Sequence, residues 1–264
     1  MSRRVLLTLL VTIIALVAPP VSADWDEGDG HKMHHPQLPD PNGWDVMAAG
    51  PPMMLADDWR CSSTGPVTDI HIWGSWLDDV NTGITMIHLG IWSDLPAAQS
   101  PTGYSMPLEP LWNLDVPAGA FVERLYGEGM QGWYDPSVEM VIPDNHTGIW
   151  QYNIDIEPDM AFLQEEGTIY WLSVWVETLE GGLFGWKTSL DHFNDDAVWT
   201  VDPAGDPPFF ELVDPLEGFS LDLAFVITGE DMDLGDAPHA GGGPAMGNPY
   251  RTLIEHDGAR HLLS

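Results

Sequence analysis

A single cysteine, Cys61, serves the whole of the 264-residue chain. No intrachain disulfide can form, so stability has to come from packing. A nucleophilic role for Cys61 would need a nearby histidine and a thiol pushed toward thiolate. The sequence around it shows neither, and the residue reads as a small buried apolar side chain. Basic residues are almost as scarce, with 8 Lys and Arg against 41 Asp and Glu and a formal net charge of −33. Such a field excludes nucleic acid and anionic membrane surfaces as partners. Charged residues make up only 19% of the chain and hydrophobic ones 44%. The acidity therefore reflects a shortage of Lys and Arg, and the composition can build a core. Sustained 3.6-residue periodicity is missing too, which argues against long helices. Among catalytic signatures, G-x-S-x-G, H-E-x-x-H and the P-loop are all absent.

What is present begins with an export signal. Arg3 and Arg4 form a positive n-region, Val5 to Val17 an apolar h-region, and Val21-Ser22-Ala23 a small-residue cleavage box before Asp24. The apolar run is shorter than the roughly 20 residues of a bilayer span, so residues 1–23 read as a cleavable signal peptide and the mature chain has no transmembrane segment. Ser2-Arg3-Arg4-Val5-Leu6-Leu7 echoes a twin-arginine signal, but the short n-region and greasy h-region favour the general secretory route. The expected location is extracellular, cell-surface or periplasmic.

Residues 24–52 are rich in Gly, Pro, Asp and His without periodicity and read as an extended N-terminal lead. From 53 to 229 short apolar or alternating runs recur between turn residues: Val67 to Trp76, Ile84 to Trp92, Leu108 to Val116, Phe121 to Tyr126, Val138 to Ile142, Gly148 to Ile156, Ile169 to Glu177, Leu183 to Thr188, Ala197 to Val201 and Leu221 to Thr228. This spacing predicts an all-β fold, an antiparallel two-sheet sandwich of jelly-roll type. In the run 169–177, Tyr170, Leu172, Val174 and Val176 share one face while Trp171 and Trp175 occupy the other. Both faces are therefore covered, or one carries a ligand platform. Residues 230–264 are again Gly- and Pro-rich and read as a tail or linker.

Three stretches together carry a family resemblance. They are Gly43-Trp44-Asp45-Val46 with Leu55-Ala56-Asp57-Asp58-Trp59-Arg60-Cys61; Gly65-Pro66-Val67-Thr68-Asp69-Ile70-His71-Ile72-Trp73-Gly74-Ser75-Trp76; and Gly185-Trp186-Lys187-Thr188-Ser189 with Asp191-His192-Phe193-Asn194-Asp195-Asp196-Ala197-Val198-Trp199. Across residues 31–229 the chain resembles an uncharacterised β-sandwich domain of large exported or surface-anchored bacterial proteins, a family with no assigned activity to transfer. Gly235-Asp236-Ala237-Pro238, Tyr250-Arg251-Thr252-Leu253 and Gly258-Ala259-Arg260-His261 resemble a segment that introduces further acidic extracellular modules in similar proteins. No surface-sorting tail is visible before Ser264. The expectation is a released protein or a missing continuation.

Thirteen tryptophans stand out. Aromatic rings are how secreted β-sandwiches stack on sugars, and Trp73, Trp76, Trp92, Trp171 and Trp175 form the candidate platform; the alternative is a second apolar layer. Asp191, Asn194, Asp195 and Asp196, in a loop that also holds His192, offer the oxygen ligands that Ca²⁺ takes, against the plain reading of turn chemistry. Asp57, Asp58 and Asp69 are a looser second set. Asp231-Met232-Asp233-Leu234-Gly235-Asp236 follows half an EF-hand loop and fails at the twelfth position, where Gly242 stands. His31, His34 and His35 beside Asp24, Asp26 and Asp29 could hold a transition metal, though a mobile tail rarely preorganises ligands. Gly127-Glu128-Gly129-Met130-Gln131-Gly132 matches a dinucleotide fingerprint by letter, but no helix follows and it reads as a loop between strands. Asn145-His146-Thr147 is a formal glycosylation sequon that reads as a turn. The expected function is a secreted or surface-associated, non-catalytic binding or structural module, with polysaccharide or cell-surface components as candidate partners. A polysaccharide-active enzyme with a carboxylate pair in an aromatic groove is the alternative, and a pure scaffold with every Trp buried the third.

Overall fold

In the computed structural model, residues 24–50 and 53–230 are described, together with the backbone of two short paired strands, Met232–Asp233 and His261–Leu262. The expected export signal, the EF-hand-like segment and most of the tail lie outside the described residues. The architecture is the expected two-sheet β-sandwich. In chain order the strands that build it are β1 (Trp44–Met47), β2 (Met54–Arg60), β3 (Gly65–Trp76), β4 (Ile84–Leu95), β5 (Met106–Pro117), β6 (Val122–Asp135), β7 (Met140–Asp155), β8 (Leu163–Gln164), β9 (Ile169–Thr178), β10 (Phe184–Ser189), β11 (Val198–Thr200), β12 (Phe210–Glu211), β13 (Asp222–Leu223) and β14 (Phe225–Gly229).

One sheet runs β12-β11-β2-β9-β4-β5; the other runs β13-β10-β1-β6-β7-β3-β14, with β8 paired onto β3. Alternation decides what fills the space between them. Leu55 and Trp59 of β2, Leu172, Val174 and Val176 of β9, and Ile87, Leu89 and Ile91 of β4 face Val46, Ile70, Ile72, Trp76, Tyr152, Trp186 and Phe225 of the other sheet, and all are buried. Burial at this density is the main source of stability in a chain with no disulfide. Cys61 is buried as expected, with its thiol donating to Ser63 O.

The second sheet is more than a layer. Strand β10 pairs with β1 through Asp45↔Lys187 and with β3 through Gly185↔Ser75. With β1–β6, β6–β7 and β7–β3 this closes five strands into a ring. The β1–β6 pairing is parallel, a departure from a purely antiparallel sandwich.

Three expectations need correction. Residues 24–50 are more than an extended lead: Trp25, Met33 and Gln37 are buried, bridges tie Met33 to Cys61 and Gln37 to Phe225, and Trp44–Met47 lies inside the sheet. Its many polar and Pro positions hide the strand because neighbours cover both faces of it. The glycine run 127–132 is not a loop but the middle of β6, where register shifts between Leu125 and Gly127 and between Glu128 and Gln131 absorb the extra residues as bulges. The sequon is no turn either. It lies within β7, with the Asn145 side chain donating to Asp78 Oδ1 and His146 buried.

Candidate functional site

The outer face of the six-stranded sheet carries the chemistry that an aromatic platform needs. On β4 the residues facing away from the core are His88, Gly90 and Trp92; opposite them on β9 stand Trp175, Ser173 and Trp171, and on β5 Asp115 and Asn113 continue the rows. A glycine paired with a serine leaves the middle row low. The result is a slot of about 270 Å³, floored by Gly90 and Ser173, walled by Trp92 on one side and by His88 and Trp175 on the other, and reaching Met54 and Asn113. A Cβ at Gly90 would come within 2.5 Å of Ser173 Oγ and 3.0 Å of Trp92 Nε1, so only glycine permits this floor.

Hydrogen bonds fix the walls. Trp92 Nε1 donates to Ser173 Oγ at 2.8 Å. His88 lies flat on Trp175, with ring centroids 3.6 Å apart and planes 8° from parallel. Its Nδ1 is 2.7 Å from Asp115 Oδ1, and its Nε2 is 3.5 Å from Glu177 Oε1. Trp92 and Trp175 remain half-buried and reachable. The other three proposed platform residues are not: Trp73, Trp76 and Trp171 are 0%, 1% and 0% exposed, so they offer no ring to a ligand. Trp73 packs edge-on against Trp25 of the N-terminal segment, Trp76 donates to Tyr152 Oη in the core, and Trp171 is sealed with Ala56, Met106, Val198 and Phe209. Trp73 and Trp171 lie opposite the core face of their strands, where alternation could not show that other segments would cover them, whereas Trp76 lies on the core face of β3 with Ile70 and Ile72. His88, Gly90, Ser173, Asn113 and Asp115 escaped the sequence reading; the alternation His88–Gly90–Trp92, opposite a Trp-Ser-Trp row, was the available signal.

The loop between β10 and β11 behaves differently from a cation cage. Asp191 Oδ2 accepts from Leu38 N, the Asn194 amide donates to Asp58 Oδ2, Asp195 Oδ2 accepts from Ser105 N and Oγ, and Asp196 Oδ1 accepts from the Ser220 hydroxyl. Each side chain ties a different segment. Among the described residues no three His, Cys, Asp or Glu side chains gather as metal ligands. The second acidic set is split between sheets: Asp57 is fully buried on β2 and accepts from Gln37 Nε2 and Leu223 N, while Asp69 sits on β3 opposite Asp155. Burial pushes the carboxyls of Asp57 and Asp58 well above their usual range, Asp57 helped by Asp222 beside it. Of the histidines, His34 stacks on Phe193 at 3.6 Å and accepts from Arg60 N, and burial followed by repulsion from His35, Arg60 and His31 lowers it to about 3.

Residues 33–228 match DUF7901, a domain of unknown function. No curated protein and no solved structure matches the chain. The chain belongs to the DUF7901 family.

Proposed function

We propose that the protein is an exported or surface-associated, non-catalytic binding module that holds a neutral sugar ring of a polysaccharide in the slot over Gly90 and Ser173. The observation that carries this reading is the slot itself, a gap lined by Trp92, Trp175 and His88 together with Asn113 and Asp115. Apolar faces of a pyranose suit indole walls, and carboxylate and amide oxygens accept from its hydroxyls. With Asp115 lining the slot and a net charge of −33 behind it, an anionic glycan is disfavoured. The export signal of residues 1–23 and the resemblance to surface proteins support the location. A hydrolytic reading gains nothing from the geometry: Asp115 and Glu177 both flank the imidazole of His88, and the Asp69–Asp155 pair belongs to the other sheet.

A glycan array on the secreted chain, followed by tryptophan-fluorescence titration, tests the proposal. Neutral polysaccharides are expected to bind, and Trp175→Ala to weaken them about tenfold or more, roughly 1.4 kcal/mol, with the far-UV circular dichroism of the folded sheet retained. Silence across the array would sink the reading.

A further inference from the structure

The ring of five strands encloses a group of ionisable side chains for which binding has no use. Gly43-Trp44-Asp45 on the approach to and start of β1 and Gly185-Trp186-Lys187 on β10 run antiparallel, so that Asp45 and Lys187 face each other as Cα partners. Their tryptophans turn into the sandwich core and their charged side chains turn into the ring. There Lys187 Nζ lies 3.0 Å from Asp45 Oδ2, and both side chains are 0% exposed. His146 Nε2, equally buried, lies 2.8 Å from the same oxygen. Lys187 Nζ also donates to Gly43 O at 2.9 Å, while Asp45 Oδ1 has no partner. Trp133 stands edge-on to His146, and the missing Cβ of Gly185 lets Asp45 and Trp133 close in, since that atom would sit 2.8 Å from Asp45 Cβ and 3.0 Å from the indole.

Hydrogen bonding fixes where a proton is. Asn145 Nδ2 donates to Asp78 Oδ1 and Asp78 N donates to Asn145 Oδ1, which orients the amide and makes Oδ1 an acceptor. His146 Nδ1, 3.2 Å from that oxygen, therefore carries a hydrogen. The short Nε2–Oδ2 contact then needs a second proton on the line between them, whichever atom formally holds it. An amine, a carboxyl and a proton directed at one carboxyl oxygen are thus held together away from water.

We propose that Lys187 and Asp45 join spontaneously in an intramolecular isopeptide bond, with His146 handing the proton to the departing oxygen. The C–N bond forms between Nζ and Cγ, and the Cγ–Oδ2 bond breaks. The carboxyl proton and one proton of the neutral amine leave with Oδ2 as water, Oδ1 becomes the amide oxygen, and His146 returns to its starting state. No oxidant, reductant or cofactor takes part. Burial, opposed by the nearby Asp45 charge, lowers the basicity of Lys187 and so raises the share of neutral, nucleophilic amine. The product also removes a buried ion pair, whose desolvation cost a neutral amide does not carry. The bond would tie the first strand to the tenth, a covalent staple in a chain that cannot make a disulfide.

Intact mass spectrometry and peptide mapping of the denatured full chain decide the matter independently of any glycan. The expected mass is one water below that of the unlinked chain with the same N-terminus, with a branched peptide joining the segments that contain Asp45 and Lys187. Lys187→Arg should show the full mass and two separate peptides. His146→Gln, checked for folding by near-UV circular dichroism, should form the bond about a hundredfold more slowly, the range for loss of a positioned general acid. Wild-type protein that is folded yet keeps its full mass and unlinked peptides after prolonged incubation would overturn the proposal, however the variants behave. A linked wild type with an equally fast His146→Gln would remove His146 from it.

Discussion

Asp69 and Asp155 face each other across β3 and β7 with like charge. The hydroxyls of Thr68 and Thr228 donate to Asp69. Asp155 responds: burial, then its hydrogen bond with Asp69 and their mutual repulsion, push it up to about 6. A carboxyl raised in the fold binds its proton more tightly than in the unfolded chain, so its contribution is fully present below about pH 4 and lost as pH rises through about 6. Above that both groups are charged and repel. Asp155→Asn keeps the hydrogen-bonding shape and removes the repulsion. It should stabilise the protein by about 0.5 kcal/mol near neutral pH, a figure already reduced for the solvent that screens this largely exposed group, and by nothing near pH 4. Urea melts at the two pH values check it, and equal effects at both would refute it.

At the scale of elements, most strands were readable because half-buried strands alternate. The run 169–177 became β9 almost to the residue, and Tyr170, Leu172, Val174 and Val176 point inward as expected. Runs 138–142 and 148–156 fused into the single long β7, since Asn145 and Thr147 look like turn residues but serve as partners for Asp78 and Asp79. Composition misled most in the loop between β10 and β11. Three aspartates and an asparagine in six residues look like a Ca²⁺ cage because sequence gives ligand number but not direction. Here the directions diverge, toward Leu38 N, Asp58, Ser105 and Ser220. Those bonds hold the loop without a cation, so EGTA should leave the melting temperature unchanged. A fall on chelation would reveal a stabilising ion, since a ligand of the native state must raise stability. Asp195→Ala, by contrast, should destabilise by about 1–2 kcal/mol, because it strips the partner from Ser105 N and Oγ.

For the whole molecule the dominant fact is a charge of −33 with few cations to offset it. Self-repulsion of that size opposes the compact state, and acidification relieves it. Buried carboxyls add to this. Asp222 on β13 is pushed up to about 6, chiefly by burial, although Phe193 N and His192 donate to it, and the fully buried Asp57 beside it is raised further. The contribution of Asp222 is present below about pH 4 and lost as pH rises through about 6, and that of Asp57 is lost on the same alkaline side. Burial lowers His34 and His71, which work in the opposite sense, because each must take up a proton on unfolding as pH falls below about 6.5. Carboxyls outnumber them, so maximal stability is expected on the acid side of neutral, at about pH 5. Asp222→Asn separates the local from the global share. The amide can still accept from Phe193 N, while the charge next to Asp57 is gone. The variant should gain about 2 kcal/mol over wild type at alkaline pH and little below about pH 4. High salt screens exposed charges and should recover most of the global loss in both proteins, yet leave the gap between them, because a buried pair is screened much less. A gap that closes with salt would mean that Asp222 acts through the surface field and not through the buried pair.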